Sequence, residues 1–244
     1  MTIVFLSVFL YALYELSSIF MVYYHNHQLL ADVQQIYGDT EMERDEEEEI
    51  MEGEVREQFN ELKEINHDIL GWITVDDTKI NYPILQAEDN DYYLTRNYER
   101  EESIAGSVFM DYRNDITSYN PNIILYGHRM KDDSMFNGLD KFLDEDFFYN
   151  HDTIYFDTMY ESYEAEVFAV YNTTTDFDYI QTEFEDKHEY GSLLAEIQQK
   201  SKYDATVELG MEDQIITLST CDYMLDPDKG RLVVHAKLVK KDGT

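Results

Sequence analysis

The stretch that decides the fold is Gln214-Ile-Ile-Thr-Leu-Ser-Thr220, followed by Cys221 and, after the loop Asp222–Gly230, by Arg231-Leu-Val-Val-His-Ala-Lys-Leu238. Both runs are rich in β-branched and apolar residues, which suit a pleated, buried surface. Paired as an antiparallel hairpin, they put the end of the first beside the start of the second, about 4.8 Å away. Cys221 and Arg231 then become neighbours at one rim of a sheet, with the loop over them. A cation beside a thiol lowers its pKa and stabilises negative charge developing nearby.

The same texture extends outward from this hairpin. Short β-like runs separated by polar turns occur at Gly71–Val75, Ile80–Leu85, Ser107–Asp111, Asn122–Tyr126, Thr153–Phe156, Glu164–Tyr171 and Thr206–Leu209. The hairpin extends them through Gln214–Thr220 and Arg231–Val239. Helical signals interrupt them at Asn90–Leu94, Met135–Phe142 and Lys187–Lys202. Many short strands and few long helices predict a closed or nearly closed antiparallel barrel. No internal repeat is present. The 21 Tyr and 13 Phe agree with a β-rich core.

The 18 Lys and Arg against 52 Asp and Glu give a formal net charge of −34. So acidic a surface repels phosphates, which argues against nucleic acid as a partner and favours amine-bearing ones. One cysteine excludes an intramolecular disulfide and leaves either an inert residue or a reactive thiol.

Ahead of the β region, Ile3 to Tyr24 is almost wholly apolar and aromatic, with Glu15 its only charge. At 1.5 Å per residue it is long enough for a bilayer core of about 30 Å. No small-residue cleavage site follows, so residues 1–24 read as an uncleaved signal anchor. Residues 25–40 read as a spacer. Met51, Val55, Phe59 and Leu62 form an apolar stripe, predicting a helix over 41–67 whose acidic faces are solvated. The chain thus divides into an anchor (1–24), an acidic spacer and helix (25–63) and a β-rich domain (64–244).

A nucleophilic cysteine needs a proton-exchanging partner. His128 follows the run Asn122–Tyr126 and Gly127, at a strand end where loops carry function. Spacing alone does not choose it over His151 or His188, and His235 lies on the Arg231 strand. Asp226-Pro-Asp-Lys-Gly230 lacks the spacing and terminal Glu of a calcium-binding EF-hand loop, so no metal site is expected.

The segment Thr217-Leu-Ser-Thr-Cys221 resembles the Thr-Leu-x-Thr-Cys signature of the sortases. Leu125-Tyr-Gly-His-Arg-Met130 is similar to that family's histidine motif, and Arg231 stands where the family places its essential arginine. Asn66–Val75, Ile80–Ile84, Asp89–Leu94, Gly106–Arg113, Met135–Leu139 and the helix near Lys187–Lys202 resemble class B members. The likeness spans roughly residues 64–240. It implies a mainly β fold: a closed eight-stranded barrel with an N-terminal helix and a long helix before the penultimate strands.

The resemblance also implies a membrane-anchored cysteine transpeptidase needing no cofactor, single-pass, with its catalytic domain on the extracellular face. Cys221 would attack the carbonyl after a Thr in a C-terminal sorting signal of an exported protein. His128 would exchange protons with the leaving and incoming amines, and Arg231 would hold substrate and oxyanion. An amine of a peptidoglycan precursor would resolve the thioacyl-enzyme. Leu94, Thr175, Tyr179, Ile180 and Ser219 resemble substrate-binding positions. Two alternatives remain: a cysteine endopeptidase with water as acceptor, and a non-catalytic surface protein.

Overall fold

The computed structural model describes residues 2–43 and 54–241, without the side chains of 2, 3, 18, 19, 22 and 40–43. Eight strands form it: β1 (Ile69–Thr74), β2 (Asn81–Leu85), β3 (Val108–Met110), β4 (Asn122–Tyr126), β5 (Thr153–Thr158), β6 (Ser162–Thr174), β7 (Ile215–Cys221) and β8 (Gly230–Lys240). They close in the order β1-β2-β3-β4-β7-β8-β6-β5. The barrel is mixed rather than antiparallel throughout: β2–β3 and β4–β7 are parallel pairs. Parallel neighbours need crossovers, and the chain from β4 to β7 makes its crossover through β5, β6 and a helix.

Alternation along each strand sorts the two faces. Ile123 and Leu125 of β4, Ile216 and Leu218 of β7, and Leu232, Val234 and Ala236 of β8 belong to the main core. The opposite face of the same strands carries Ile215 and Val233, which join Phe168, Tyr171, Tyr179, Tyr190, Leu193, Leu194 and Ile197 in a second cluster. That second cluster lies beneath helix α4 (Lys187–Lys200) and the loop leading into it. Asp186 caps α4, accepting from the amides of His188 and Glu189. Tyr190 fastens it by donating to the carbonyls of Pro121 (2.9 Å) and Asp213 (2.8 Å).

The expected strand Thr206–Leu209 is absent. Ala205, Val207 and Leu209 instead pack singly against the second cluster. Once the eight strands have closed on each other, no edge is left for a ninth to pair with.

The N-terminal region departs further from expectation. Residues 25–40 are no spacer, because α1 runs unbroken from Thr2 to Glu43. Asn26, Leu29, Leu30, Val33 and Tyr37 recur at helical spacing, and this stripe docks on the barrel. Tyr37 stacks on Trp72 with ring centroids 4.1 Å apart and donates to Asp157 at 2.7 Å. Of the expected helix over 41–67, residues 41–43 are the end of α1, residues 44–53 lie outside the described residues, and the rest holds a 3₁₀ turn, Glu57–Phe59, and the short α2, Asn60–Ile65. Phe59 and Leu62 of the stripe are buried, Val55 is exposed, and Met51 lies outside the described residues. The remaining α-helix among the described residues, α3, spans Glu145–Asn150, and the expected helical signals Asn90–Leu94 and Met135–Phe142 are met by 3₁₀ helices, Tyr92–Leu94 and Phe136–Leu143. Among the described residues no helix is long and apolar enough to cross a membrane.

Tyr37 is the main rivet of α1 to the barrel, since it combines aromatic stacking with a hydrogen bond to Asp157. Tyr37→Ala should lower unfolding free energy by about 3 kcal/mol, the usual order for emptying a buried aromatic site. Urea denaturation of the two proteins side by side checks this, and a change under about 0.5 kcal/mol would mean that α1 is not docked.

Candidate active site

The register of β7 and β8 sets the site. Seven residue pairs run from Ile215 opposite Lys237 to Cys221 opposite Arg231. On the outer face of β7 the sequence therefore reads Ile215, Thr217, Ser219, Cys221, passing from apolar to polar to reactive as it nears the rim. Beside it, β4 pairs in parallel with Tyr126 opposite Ser219. His128 emerges two residues after Tyr126.

A groove of about 260 Å³ opens there. It is lined by Cys221, Arg231, His128, Ser219, Leu94 and Tyr126 among others. Three of the sequence-predicted residues are thus brought together with Leu94 and Ser219. Thr175, Tyr179 and Ile180 lie outside this lining, in the loop after β6. Tyr179 is buried behind the groove and its hydroxyl meets Ser219 Oγ at 2.8 Å. The Thr175 amide donates to the Lys229 carbonyl in the β7–β8 loop at 3.1 Å.

Several contacts hold His128. Its Nε2–H donates to the Leu94 carbonyl at 2.7 Å, because a carbonyl can only accept. In the neutral ring Nδ1 then carries the lone pair. The His128 carbonyl accepts from the Phe136 amide, and Thr220 Oγ1 donates to the Gly127 carbonyl at 2.7 Å, joining the histidine segment to the cysteine strand. Gly127 is required by close approach: a Cβ there would sit 2.8 Å from the Phe136 ring.

Asp222, the residue after Cys221, is buried and anchors the start of the β7–β8 loop. Its amide donates to the Gly230 carbonyl at 2.9 Å, and its carboxylate accepts from Asn172 at 2.7 Å and from the Met224 amide at 3.1 Å. Arg129 approaches the same carboxylate at 3.7 Å while also pairing with Asp140. The Arg231 guanidinium is turned toward its own loop, with Nη1 donating to the carbonyls of Gly230 (2.8 Å) and Asp228 (3.3 Å). Tyr223, 55% exposed, stands beside the thiol. Partial burial and the neighbouring Cys221 push its phenol up, with Arg231 opposing.

An ion pair between the buried Asp111 and the partly exposed Arg113 supports the other wall. Arg113 grips Asp111 through Nε and Nη2, both at 2.8 Å, and Tyr126 and Asn90 donate to the same carboxylate. Burial alone would raise the Asp111 carboxyl, but these hydrogen bonds, Arg113's foremost, hold it below the usual carboxylate range. Arg113 also donates to the Ile180 carbonyl at 3.0 Å, tying the β6–α4 loop to the groove. No role was assigned from sequence to this pair, to Asp222, Arg129 or Tyr223, although Asp111 and Arg113 close the segment Gly106–Arg113 and Arg129 follows His128 in the histidine motif. For Asp222 and Tyr223 the available signal was their adjacency to Cys221.

Comparison with known proteins agrees with this geometry. Residues 73–239 match the Sortase domain family. The chain belongs to the sortase family. It is 44% identical to sortase B of Listeria monocytogenes over 241 residues, covering 99% of this chain and 96% of that protein. A crystal structure of sortase B from B. anthracis superposes with a TM-score of 0.82 at 56% identity, covering 90% of this chain and 98% of that one. A Staphylococcus aureus sortase B–substrate complex gives a TM-score of 0.83 at 38% identity, covering 90% and 99%. The chain is therefore a class B sortase, a cysteine transpeptidase of surface-protein anchoring, and sortases of this class share its closed eight-stranded barrel.

Within this sortase the Arg113–Asp111 and Arg100–Asp68 pairs should differ in worth, because only the first strands a buried carboxylate when broken. Arg113→Met leaves the fully buried Asp111 without a partner that is itself partly exposed to solvent, and should cost about 2 kcal/mol, the order for stranding a buried acceptor. Arg100→Met, at the exposed pair with Asp68, should cost about 1 kcal/mol or less. Urea unfolding at neutral pH measures both, and equal costs would remove the structural role given to Asp111.

Proposed function

We propose that this sortase cleaves the C-terminal sorting signal of an exported protein after a Thr, using Cys221, His128 and Arg231. The observation that carries the reading is that Cys221 and Arg231 are directly opposed on paired strands, with His128 in the same groove. Cys221 Sγ attacks the Thr carbonyl carbon, and the negative charge gathers on the carbonyl oxygen beside Arg231. The C–N bond then breaks, the leaving amine takes a proton from His128, and a thioester remains on Cys221. An amine of a peptidoglycan precursor attacks that thioester and gives its proton to His128. The amide forms and Cys221 leaves as thiolate.

A guanidinium has five N–H donors, and both loop carbonyls engage one nitrogen, Nη1. The rest of the fork is available in chemical principle to a substrate carbonyl. Leu94 and Ser219 form the floor beside the thiol. Thr175 and Ile180, in the loop after β6, extend the groove along the sorting peptide, and the buried Tyr179 supports Ser219 from behind.

Membrane attachment through residues 1–24, with the barrel on the extracellular face, completes the proposal. Its support is apolar surface: the side chains of Val4, Phe5, Leu6, Phe9, Leu10 and Tyr14 are 56–70% exposed on α1. Exposed apolar surface that is contiguous marks a contact with membrane or partner.

Cys221→Ala should abolish cleavage of sorting peptides with the fold retained, because only a thiol forms the thioester. Chromatographic assay of peptide cleavage decides it, and more than trace turnover in the variant would sink the mechanism. For Arg231, loss of an oxyanion donor costs on the order of 10²–10³ in turnover. Arg231→Ala should show that loss in kcat, and Arg231→Lys should recover only part of it, since an ammonium lacks the planar fork. A wild-type kcat in Arg231→Ala would remove the oxyanion role.

A further inference from the structure

Beneath the β6–α4 loop, four polar side chains on four adjacent strands form an unbroken string. Tyr171 of β6 meets His235 Nε2 of β8 at 2.7 Å, and His235 Nδ1 meets Thr217 Oγ1 of β7 at 2.8 Å. Thr217 Oγ1 donates to Asn122 Oδ1 of β4 at 2.6 Å. Asn122 Nδ2 then donates to the carbonyls of both Tyr179 and Gln181, each at 3.1 Å. His235, Thr217 and Asn122 are all 0% exposed, and Tyr171 is 4% exposed.

The direction of every bond follows from the far end. The two amide hydrogens of Asn122 are spent on carbonyls, so its oxygen accepts and the Thr217 hydroxyl must donate. Thr217 then accepts from His235 Nδ1–H, which leaves Nε2 as the lone pair that accepts from the Tyr171 hydroxyl. Full burial pushes His235 down to about 3, so the imidazole is neutral at any physiological pH and the string keeps one direction.

A buried polar string of this kind carries a large penalty if any member is left unpaired. Apolar residues would fill the same face without that risk, as Ile215 and Val233 do beside it. What the string delivers is a fixed position for two carbonyls in the loop, on either side of Ile180. It also fixes Tyr179, held at its carbonyl by Asn122 and at its hydroxyl by Ser219, the groove residue two positions before Cys221.

We infer that Asn122, Thr217 and His235 are positioning residues that set the β6–α4 loop against the groove and so determine affinity for the sorting peptide, without touching substrate. The inference rests on the proposed role of that loop in holding the peptide.

The test uses the full-length chain and a fluorogenic peptide chosen for cleavage by the wild type. Asn122→Ala should raise KM about tenfold, the order expected for lost hydrogen bonds, with kcat within about twofold. The rate of Cys221 alkylation by iodoacetamide should likewise stay within about twofold, because the thiol's own surroundings are untouched. His235→Gln, which can still donate and accept, should keep a KM near wild type, whereas His235→Leu should match Asn122→Ala. A purely structural string would lower stability in His235→Leu and Asn122→Ala with KM unchanged, and that result overturns the inference. So does a change in alkylation rate that parallels the change in activity. If Asn122→Ala does not fold, Thr217→Val cuts the string with almost no change of volume and is read the same way. Failure of the wild-type chain to cleave any sorting peptide would overturn the proposed function instead.

Discussion

The pairing of β7 with β8 in a single register is the constraint on which the rest depends. Side chains alternate with a period of two, so a slip of one residue would turn every side chain of one strand to the other face. The register that places Leu218 and Val234 in the main core places Ser219, Cys221, Arg231 and His235 on the outer wall. Burying the apolar set inside the barrel and aligning the polar set on the outer wall are thus one event. The energy of the core, at roughly 25 cal/mol per Å² of buried apolar surface, enforces the alignment of the thiol and the guanidinium.

The outer wall then has two parts with different physics. Toward the base it is dry: α4 covers Ile215, Val233 and their aromatic neighbours. Toward the rim it is open and polar. The polar string through His235 and Asn122 and the Asp111–Arg113 pair stand where the two parts meet. Both end on carbonyls of the segment Tyr179–Gln181. A loop on a barrel wall has few backbone partners of its own, and here the missing partners are supplied by side chains projecting from the strands beneath it.

The histidine side is built differently. His128 belongs to a segment with no regular structure, held by Gly127 against Phe136, by Thr220, and by the Leu94 carbonyl. Its position depends on three separate stretches of chain. That explains why spacing could not separate His128 from His151 or His188. His151 pairs with the exposed Asp77, and His188 sits in the first turn of α4, both away from the groove.

The sequence by itself determined the elements whose signal is local. The alternation in Gln214–Thr220 and Arg231–Val239 gave two strands and their hairpin, and with them the opposition of Cys221 and Arg231. Motifs resembling the sortases supplied His128 and the closed eight-stranded barrel. The docking stripe Asn26 to Tyr37 was also present at helical spacing, and the adjoining apolar run masked it. Only the tertiary structure decided what depends on neighbours distant in the chain. Thr206–Leu209 has the pattern of a strand and is none, because the closed barrel offers it no edge. Asn122, Thr217 and His235 look like ordinary polar residues within strands, and their joint role exists only because β4, β7 and β8 lie side by side. Periodicity records which face a residue takes, whereas hydrogen-bond partners and pairing edges are set by which strands become neighbours, and that is fixed by the closure of the barrel as a whole.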